Sequence, residues 1–360
     1  MQRTSLAGAA LACAVAAAPA AADTVPIALQ LKWFPQAQFA GYFVAKDKGF
    51  YAEEGLDVTL LPIGDQSPIQ TVVSGAADFG TTWIADLLAA REKGLPVVHI
   101  AQVFQRSGFA MVALKATGLK DLCDLEGRSV GVWPSGNEYP AVALFRKCGL
   151  TSSLDPTVSK PDVTAVTYPF DPALVFPDRV DVVSAMIYNE VDQIVGLGYD
   201  LDKLDVWLLP DQGINLLEDL IFTTERVLAA ENYKGSGLSG REIATRLLRA
   251  SLKGWAYAVA HQEETVENHV LPVCGNTCMG SGTRADARAH QIWQMREIAK
   301  LYAAGATERG CPGFLDPAAY AASVQLLVDQ RILSEAPDAR TVDYGPWQEA
   351  TGKTVEACRS

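Results

Sequence analysis

Basic residues are scarce in this chain of 360 residues: 30 lysines and arginines stand against 42 aspartates and glutamates, a formal net charge of −12. Such a surface is repelled by phosphate backbones and anionic lipid, so nucleic acid is not an expected partner. Past residue 22 there is no apolar run long enough to cross ~30 Å of hydrocarbon as a helix. There is also no repeat at solenoid spacing and no low-complexity tract, which excludes helical arrays and disordered linkers. Histidines number only four and no His-Glu-x-x-His occurs, so a metalloprotease-type zinc site lacks its ligands. His261 and His269 flank Glu263, Glu264 and Glu267, but this reads as a solvated helix face. Pro134-Ser-Gly lacks the glycine that a nucleophile elbow puts two residues before its serine. Gly280-Ser-Gly282 lacks the lysine of a phosphate loop and reads as a connector.

What is present begins with an export signal. Arg3 precedes an uncharged, Ala-rich run from Leu6 to Ala18, then Pro19 and three alanines before Asp23, the pattern of a signal peptide (1–22) cut after Ala22. Leu11 stands two residues before Cys13, where a lipobox wants three, which argues against a lipid anchor. Cleavage removes one of the seven cysteines and leaves an even number, which an oxidising periplasm would pair.

After Asp23, strand-like and helical runs alternate. Ile27-Ala-Leu-Gln-Leu31 reads as a strand, Phe39 to Lys48 as a helix stopped by Gly49, and Val58-Thr-Leu-Leu61 as a second strand. Ser67 is positioned to cap a helix toward Ser74, and Ala77-Asp-Phe-Gly80 leads to a helix from about Ile84 to Lys93, followed by a strand to Gln102. The pattern restarts with a strand at 129–133, a loop to Tyr139, a helix to Cys148, and strands near 163–166, 182–187 and 206–209. Asp219-Leu-Ile-Phe-Thr-Thr224 then reads as sequence returning to the first unit. From Ser239 onward helical periodicity dominates. A mostly parallel sheet that stops, restarts and is rejoined predicts two α/β lobes, whose functional edge lies where strands end and helices begin. The informative loops are therefore 33–38, 64–67 and 80–83. The expected division is 23–112 for the first lobe, 113–220 for the second, and 221–360 for the return and the C-terminal helices, with hinges near 110–114 and 220–224.

Six mature cysteines leave many pairings open, and the fold narrows them. Cys123 precedes the first strand of the second lobe and Cys148 ends the helix after it. In a βα unit the helix runs back beside its strand, which makes the two neighbours. Cys274 and Cys278 are separated by a short loop able to fold back, which leaves Cys311 for Cys358.

The segment Leu31-Lys-Trp-Phe-Pro-Gln-Ala-Gln-Phe-Ala-Gly-Tyr-Phe-Val-Ala-Lys-Asp-Lys-Gly-Phe-Tyr resembles the amino-terminal signature of bacterial binding proteins related to thiamine-pyrimidine synthases. Ser74-Gly-Ala-Ala-Asp-Phe-Gly80, Ala185-Met-Ile-Tyr-Asn-Glu190 and His290-Gln-Ile-Trp-Gln-Met-Arg-Glu297 follow in the family's order. The resemblance implies a type II periplasmic binding protein: two α/β lobes, a hinge, and an interlobe cleft holding a small solute for an ABC importer's permease and ATPase. A periplasmic monomer without a cofactor is expected. Within the resembling fold the solutes include thiamine-pyrimidine precursors, riboflavin, sulfonates and nitrate. The absence of a strongly basic cleft favours a neutral or amino-bearing heterocycle.

Holding a flat polar heterocycle requires aromatic faces and a few polar groups at strand ends. Trp33 and Gln38 lie in the first loop, Tyr42 at the start of the next helix and Trp83 at the third strand's end. Asn137 and Tyr139 lie in the first loop of the second lobe, and Tyr188 and Glu190 after a strand there. Each aromatic taken singly could equally be core, and it is their coincidence at strand ends that marks them. Glu190 could accept hydrogen bonds from an amino-pyrimidine edge, whereas Asp78 reads as organising a turn. The rival reading is a synthase. Fungal members of the resembling family use a pyridoxal phosphate-bound lysine, a histidine and a cysteine-rich iron site. By register Thr82 and Asp86 stand where the lysine and histidine would be, and residues 214–218 contain no cysteine. Without an amine no Schiff base forms at Thr82, so no enzyme is expected.

Overall fold

The computed structural model describes residues 24–278 and 286–359, so the expected signal peptide and the Gly280–Gly282 connector lie outside the described residues. Val25–Gln30 (β1) buries Val25, Ile27 and Leu29 and exposes Pro26, a half-buried strand's alternation. It pairs in parallel with Leu56–Leu61 (β2) and with Phe79–Thr82 (β3). Between them lie Ala40–Asp47 (α1) and Pro68–Val73 (α2). The second of these opens with a capping box in which the Gln70 amide donates to Ser67 Oγ and Ser67 N–H donates to the Gln70 side chain. Ile84–Glu92 (α3) and Val97–Gln102 (β4) complete the first run.

The second sheet is built from Phe109–Leu114 (β5), Ser129–Val132 (β6), Thr164–Thr167 (β7), Val182–Met186 (β8) and Leu204–Leu208 (β9). Tyr139–Lys147 (α4) and Glu190–Gly196 (α5) lie among these strands. Leu220–Thr224 (β10) then rejoins the first sheet, whose order is β2-β1-β3-β10-β4, against β7-β6-β8-β5-β9 for the second. Each sheet is parallel apart from one central strand: β10 runs antiparallel to β3 and β4, and β5 antiparallel to β8 and β9.

Residues 110–114 and 220–224, near which hinges are expected, belong to β5 and β10, hydrogen-bonded on both sides inside the two sheets. The chain crosses between sheets upstream of both, in residues 103–108 and 213–219, and a boundary after residue 112 would cut β5 in two. The crossings are stapled together by Glu218, which accepts from Ser107 Oγ at 2.5 Å and from Gly108 N at 2.8 Å, while Asn215 accepts from Ser107 N at 2.9 Å.

The C-terminal part packs Gly240–Ala260 (α6), capped by Ser239, across α1. The two helices approach so closely that a Cβ on Gly254 would stand 2.1 Å from the Gly41 carbonyl, a contact only glycine permits. Ala287–Ala303 (α7), Pro317–Asp329 (α8) and Gly345–Thr351 (α9) follow. Disulfides join Cys123 to Cys148, Cys274 to Cys278 and Cys311 to Cys358. The first brings the lead-in to β6 against the carboxyl end of α4, as the strand-and-return geometry requires.

Candidate ligand-binding site

The carboxyl ends of β1, β3, β6 and β8 converge on one narrow void of about 30 Å³ between the sheets, lined among others by Lys32, Trp33, Gln38, Trp83, Asn137, Tyr188 and Glu190. This is where open α/β sheets hold ligands, because the loops leaving parallel strands meet there. The first sheet contributes the loop after β1 and Trp83 after β3. The second contributes Trp133 and Asn137 after β6 and Met186 to Glu190 after β8.

The aromatic rings are held by one another. Phe109 lies edge-on to Trp83 at 6.3 Å and to Trp133 at 5.7 Å, spanning the two sheets, and Trp133 also meets Tyr168 at 5.6 Å. Tyr188 packs edge-on against Phe104 at 6.1 Å. The polar groups are fixed as tightly. Gln38 Nε2 donates to both carboxylate oxygens of Asp219 at 3.0 Å, and Gln36 Nε2 donates to Gln38 Oε1 at 2.8 Å. Across the cleft Glu190 accepts from Met186 N at 2.8 Å and from Asn189 Nδ2 at 2.6 Å. Asn189 Oδ1 accepts in turn from Gln294 Nε2 at 2.6 Å, and Gln294 reaches Gln36 Oε1 at 3.2 Å, so α7 ties the two loops together. Full burial lifts the Glu190 carboxyl to about 7 against the pull of these hydrogen bonds, and lifts Asp219 to about 7 in the same way.

Among the described residues, Lys32 is the one cation lining the void. Its ammonium forms an ion pair with Asp86 and lies 4.9 Å from the centre of the Trp83 ring. Both side chains of the pair are less than one-tenth exposed. Asp86 also accepts from Thr82 Oγ1 at 3.2 Å. Two polar atoms in the lining, Trp83 Nε1 and Asn137 Oδ1, have no hydrogen-bond partner among the described residues.

Of the residues named from the sequence, Trp33, Gln38, Trp83, Asn137, Tyr188 and Glu190 line this void, and two do not. Tyr42 is fully buried against Trp255, ring centres 5.7 Å apart, because its place on α1 faces α6 and not the loop. Tyr139 sits at the N-terminus of α4 and lines an outer groove with residues 63–70 and Asp86. Asp78 holds the start of the first sheet, accepting from Ala28 N and Lys234 Nζ at 2.7 Å each. Sequence reasoning missed Lys32, Gln36, Trp133, Met186 and Asn189. The signal lay beside the named residues: Lys32 and Gln36 share a loop with Trp33 and Gln38, Trp133 ends a strand, and Asn189 stands inside Tyr-Asn-Glu.

The chain as a whole is similar to known proteins. The riboflavin-binding protein RibY of Chloroflexus aurantiacus is 31% identical over 262 residues, 70% of this chain and 68% of that one. The formylaminopyrimidine-binding protein of Halalkalibacterium halodurans is 27% identical over 249 residues, 68% of this chain and 69% of its own. Among solved structures, the alkanesulfonate-binding protein SsuA of Xanthomonas axonopodis pv. citri, bound to MOPS, covers 90% of this chain and all of its own with a TM-score of 0.58 at 13% identity. The periplasmic aliphatic sulphonate binding protein SsuA of Escherichia coli covers 89% of this chain and 91% of its own with a TM-score of 0.59, also at 13% identity. At that identity the likeness establishes the two-lobed α/β fold of type II periplasmic binding proteins and no more. A family model described as NMT1/THI5 like matches residues 36–265, from the loop after β1 through both sheets and α6, and the chain accordingly belongs to the NMT1/THI5-like family.

Proposed function

We propose that this chain is the periplasmic solute-capturing component of an ABC importer and that its solute is a small flat heteroaromatic of the thiamine-pyrimidine-precursor class. One observation carries the reading: the void is walled by Trp33, Trp83, Trp133 and Tyr188, and its lining offers one unspent donor, Trp83 Nε1, and one unspent acceptor, Asn137 Oδ1. Aromatic faces stack a planar ring, while a donor and an acceptor in fixed positions read its edge. The relative named as a formylaminopyrimidine-binding protein supports the same class. The lobes in this reading are 24–105 with the return from 217, and 106–216. They close on the solute about the stapled crossings, and the closed monomer docks on the permease, whose ATPase drives import.

Riboflavin is the second reading. It is favoured by the RibY relative and by the outer groove, which Lys32, Trp33 and Asn137 share with the void and which could take a chain attached to the ring. Synthase activity has no support from the residues at issue, although relatives named as pyrimidine phosphate synthases also match. Thr82 carries no amine, and Asp86 is engaged with Lys32. Isothermal titration of the mature protein with formylaminopyrimidine, riboflavin, taurine and nitrate is the test. Heat and thermal stabilisation with the pyrimidine support the proposal, and binding confined to taurine or nitrate overturns it. A borohydride-trapped aldimine with pyridoxal phosphate would overturn the non-enzymatic reading.

A further inference from the structure

The charges around the cleft are unusual for a site that must draw in a solute. Among the described residues no arginine lines the void or the outer groove, and Lys32 is the one cation of the void. In the outer groove Lys93 lies exposed at the rim, and carboxylates outnumber the cations: Asp65, Asp86 and Glu138 stand against Lys32 and Lys93. The Lys32 ammonium is already committed, since its partner Asp86 is buried beside it. Three things hold that carboxylate in place. It lies in the first turn of α3, where the helix dipole favours a negative charge. Thr82 Oγ1 donates to it at 3.2 Å. The second lobe closes over it at Gly136, where a Cβ would stand 2.2 Å from Asp86 Oδ1.

We propose that Asp86 is a specificity-determining residue: by occupying Lys32 it denies the cleft a free cation, so the site accepts an uncharged or cationic heterocycle and refuses the same ring carrying a phosphate or sulfonate. This rests on the heterocycle reading above and deepens it. An anionic group entering the void leaves water and, among the described residues, finds no unpaired cation there, Lys93 standing in solvent at the rim of the outer groove. To reach the Lys32 ammonium it must displace a carboxylate fixed on several sides, and if it does not, it lies against that like charge. Selectivity comes from the repulsive element and not from an added contact. The residue acts on which solutes enter, since it touches the ammonium that an anion would need. The class of solute delivered is the unphosphorylated ring, and any phosphate ester needed afterwards must be formed by a phosphoryl transfer downstream of transport.

The experiment compares each ring as its alcohol and as its phosphate ester, so that effects common to both cancel. The pairs are 4-amino-5-hydroxymethyl-2-methylpyrimidine with its phosphate, the compound that names the synthase relatives, and riboflavin with its 5′-phosphate. Ethanesulfonate serves as a plain anion. In the wild type the ester is expected to bind at least about 100-fold more weakly than its alcohol. In Asp86→Asn the ratio should fall by roughly tenfold or more, Asp86→Glu should restore it, and Lys32→Met combined with Asp86→Asn should lose the gain. Should Asp86→Asn fail to fold, Asp86→Ser gives the same readout while keeping a hydroxyl for Lys32. Equal wild-type binding of ester and alcohol overturns the proposal, as does a ratio that stays within about threefold in the neutralised variants. If no ring binds the wild type, the heterocycle reading falls. The role of Asp86 is then decided by ethanesulfonate: binding gained in Asp86→Asn sustains it and none refutes it.

Discussion

Glu190 lines the void with each carboxylate oxygen already accepting one hydrogen bond, from Met186 N and from Asn189 Nδ2. It therefore shapes the turn that presents Tyr188 and Asn189, and it meets a ligand only through its remaining lone pairs. Glu190→Gln sets an amide N–H₂ against one of these donors, and a loss of about 1–3 kcal/mol is expected. Calorimetry and thermal unfolding together tell where it falls: weaker binding with an unchanged melting temperature marks a ligand contact, and a fall in both marks the turn. The same buried acids make stability depend on pH. Burial raises Glu190 and Asp219 to about 7 and Glu218 to about 8. An acid whose folded value is raised holds its proton more tightly when folded. The stability it contributes is thus whole below the unfolded value near 4.5 and is lost as pH climbs through the folded one. For Glu218 the window runs from about 4.5 to about 8, with a loss on the order of 5 kcal/mol. Chemical denaturation at pH 5 and pH 8 should give a lower stability at pH 8, with a smaller difference in Glu218→Gln.

At the scale of strands, helices and crosslinks, the strands after Asp23 were legible wherever alternation or a turn residue marked them, as in β1, where Pro26 faces out between Val25 and Ile27. β5 was not. Phe109-Ala-Met-Val-Ala-Leu114 is apolar throughout because it is buried on both faces between β8 and β9, and a run without periodicity carries no strand signal. The expected lobe boundary fell inside β5 for the same reason, since the segment looked like a connection when it is a strand inside the sheet. In the site, residues on loops were legible from their chemistry. Tyr42 was not, because only the packing of α6 onto α1 decides which way it faces. The crosslinks also act at this scale. Cys311–Cys358 closes a separation of 47 residues and Cys123–Cys148 one of 25. In the chain-entropy model these correspond to about 4 and about 3.5 kcal/mol, against roughly 2 kcal/mol for Cys274–Cys278. Replacing the cysteines pairwise by serine should lower unfolding free energy in that order, as read by denaturant titration.

For the whole molecule, the fit of the two lobes is set at Gly136, which has φ +97° and packs on Asp86 of the opposite lobe. A methyl group there must push the carboxylate aside or hold the lobes apart, and the Lys32 ion pair and the Thr82 hydrogen bond resist the first, so Gly136→Ala should hold the lobes apart. Solute affinity is expected to fall by about tenfold or more, and the left-handed backbone at residue 136 should lower the melting temperature of the free protein by several degrees as well. Small-angle scattering should then show little contraction on adding solute. The place of β10 between β3 and β4 has a further consequence, for the order in which the chain acquires its structure. The second sheet draws all its strands from one unbroken stretch, residues 109–208, whereas the first has a gap at its centre until residues 220–224 arrive. Closing that gap means bridging more than a hundred residues, an entropic cost that a pre-formed second sheet would largely remove by drawing the two ends of the insertion together. Pulse-labelled hydrogen exchange during refolding should therefore protect β5, β6 and β8 before β3 and β4, so that the lobe read later from the amino terminus is the first to become a folded body.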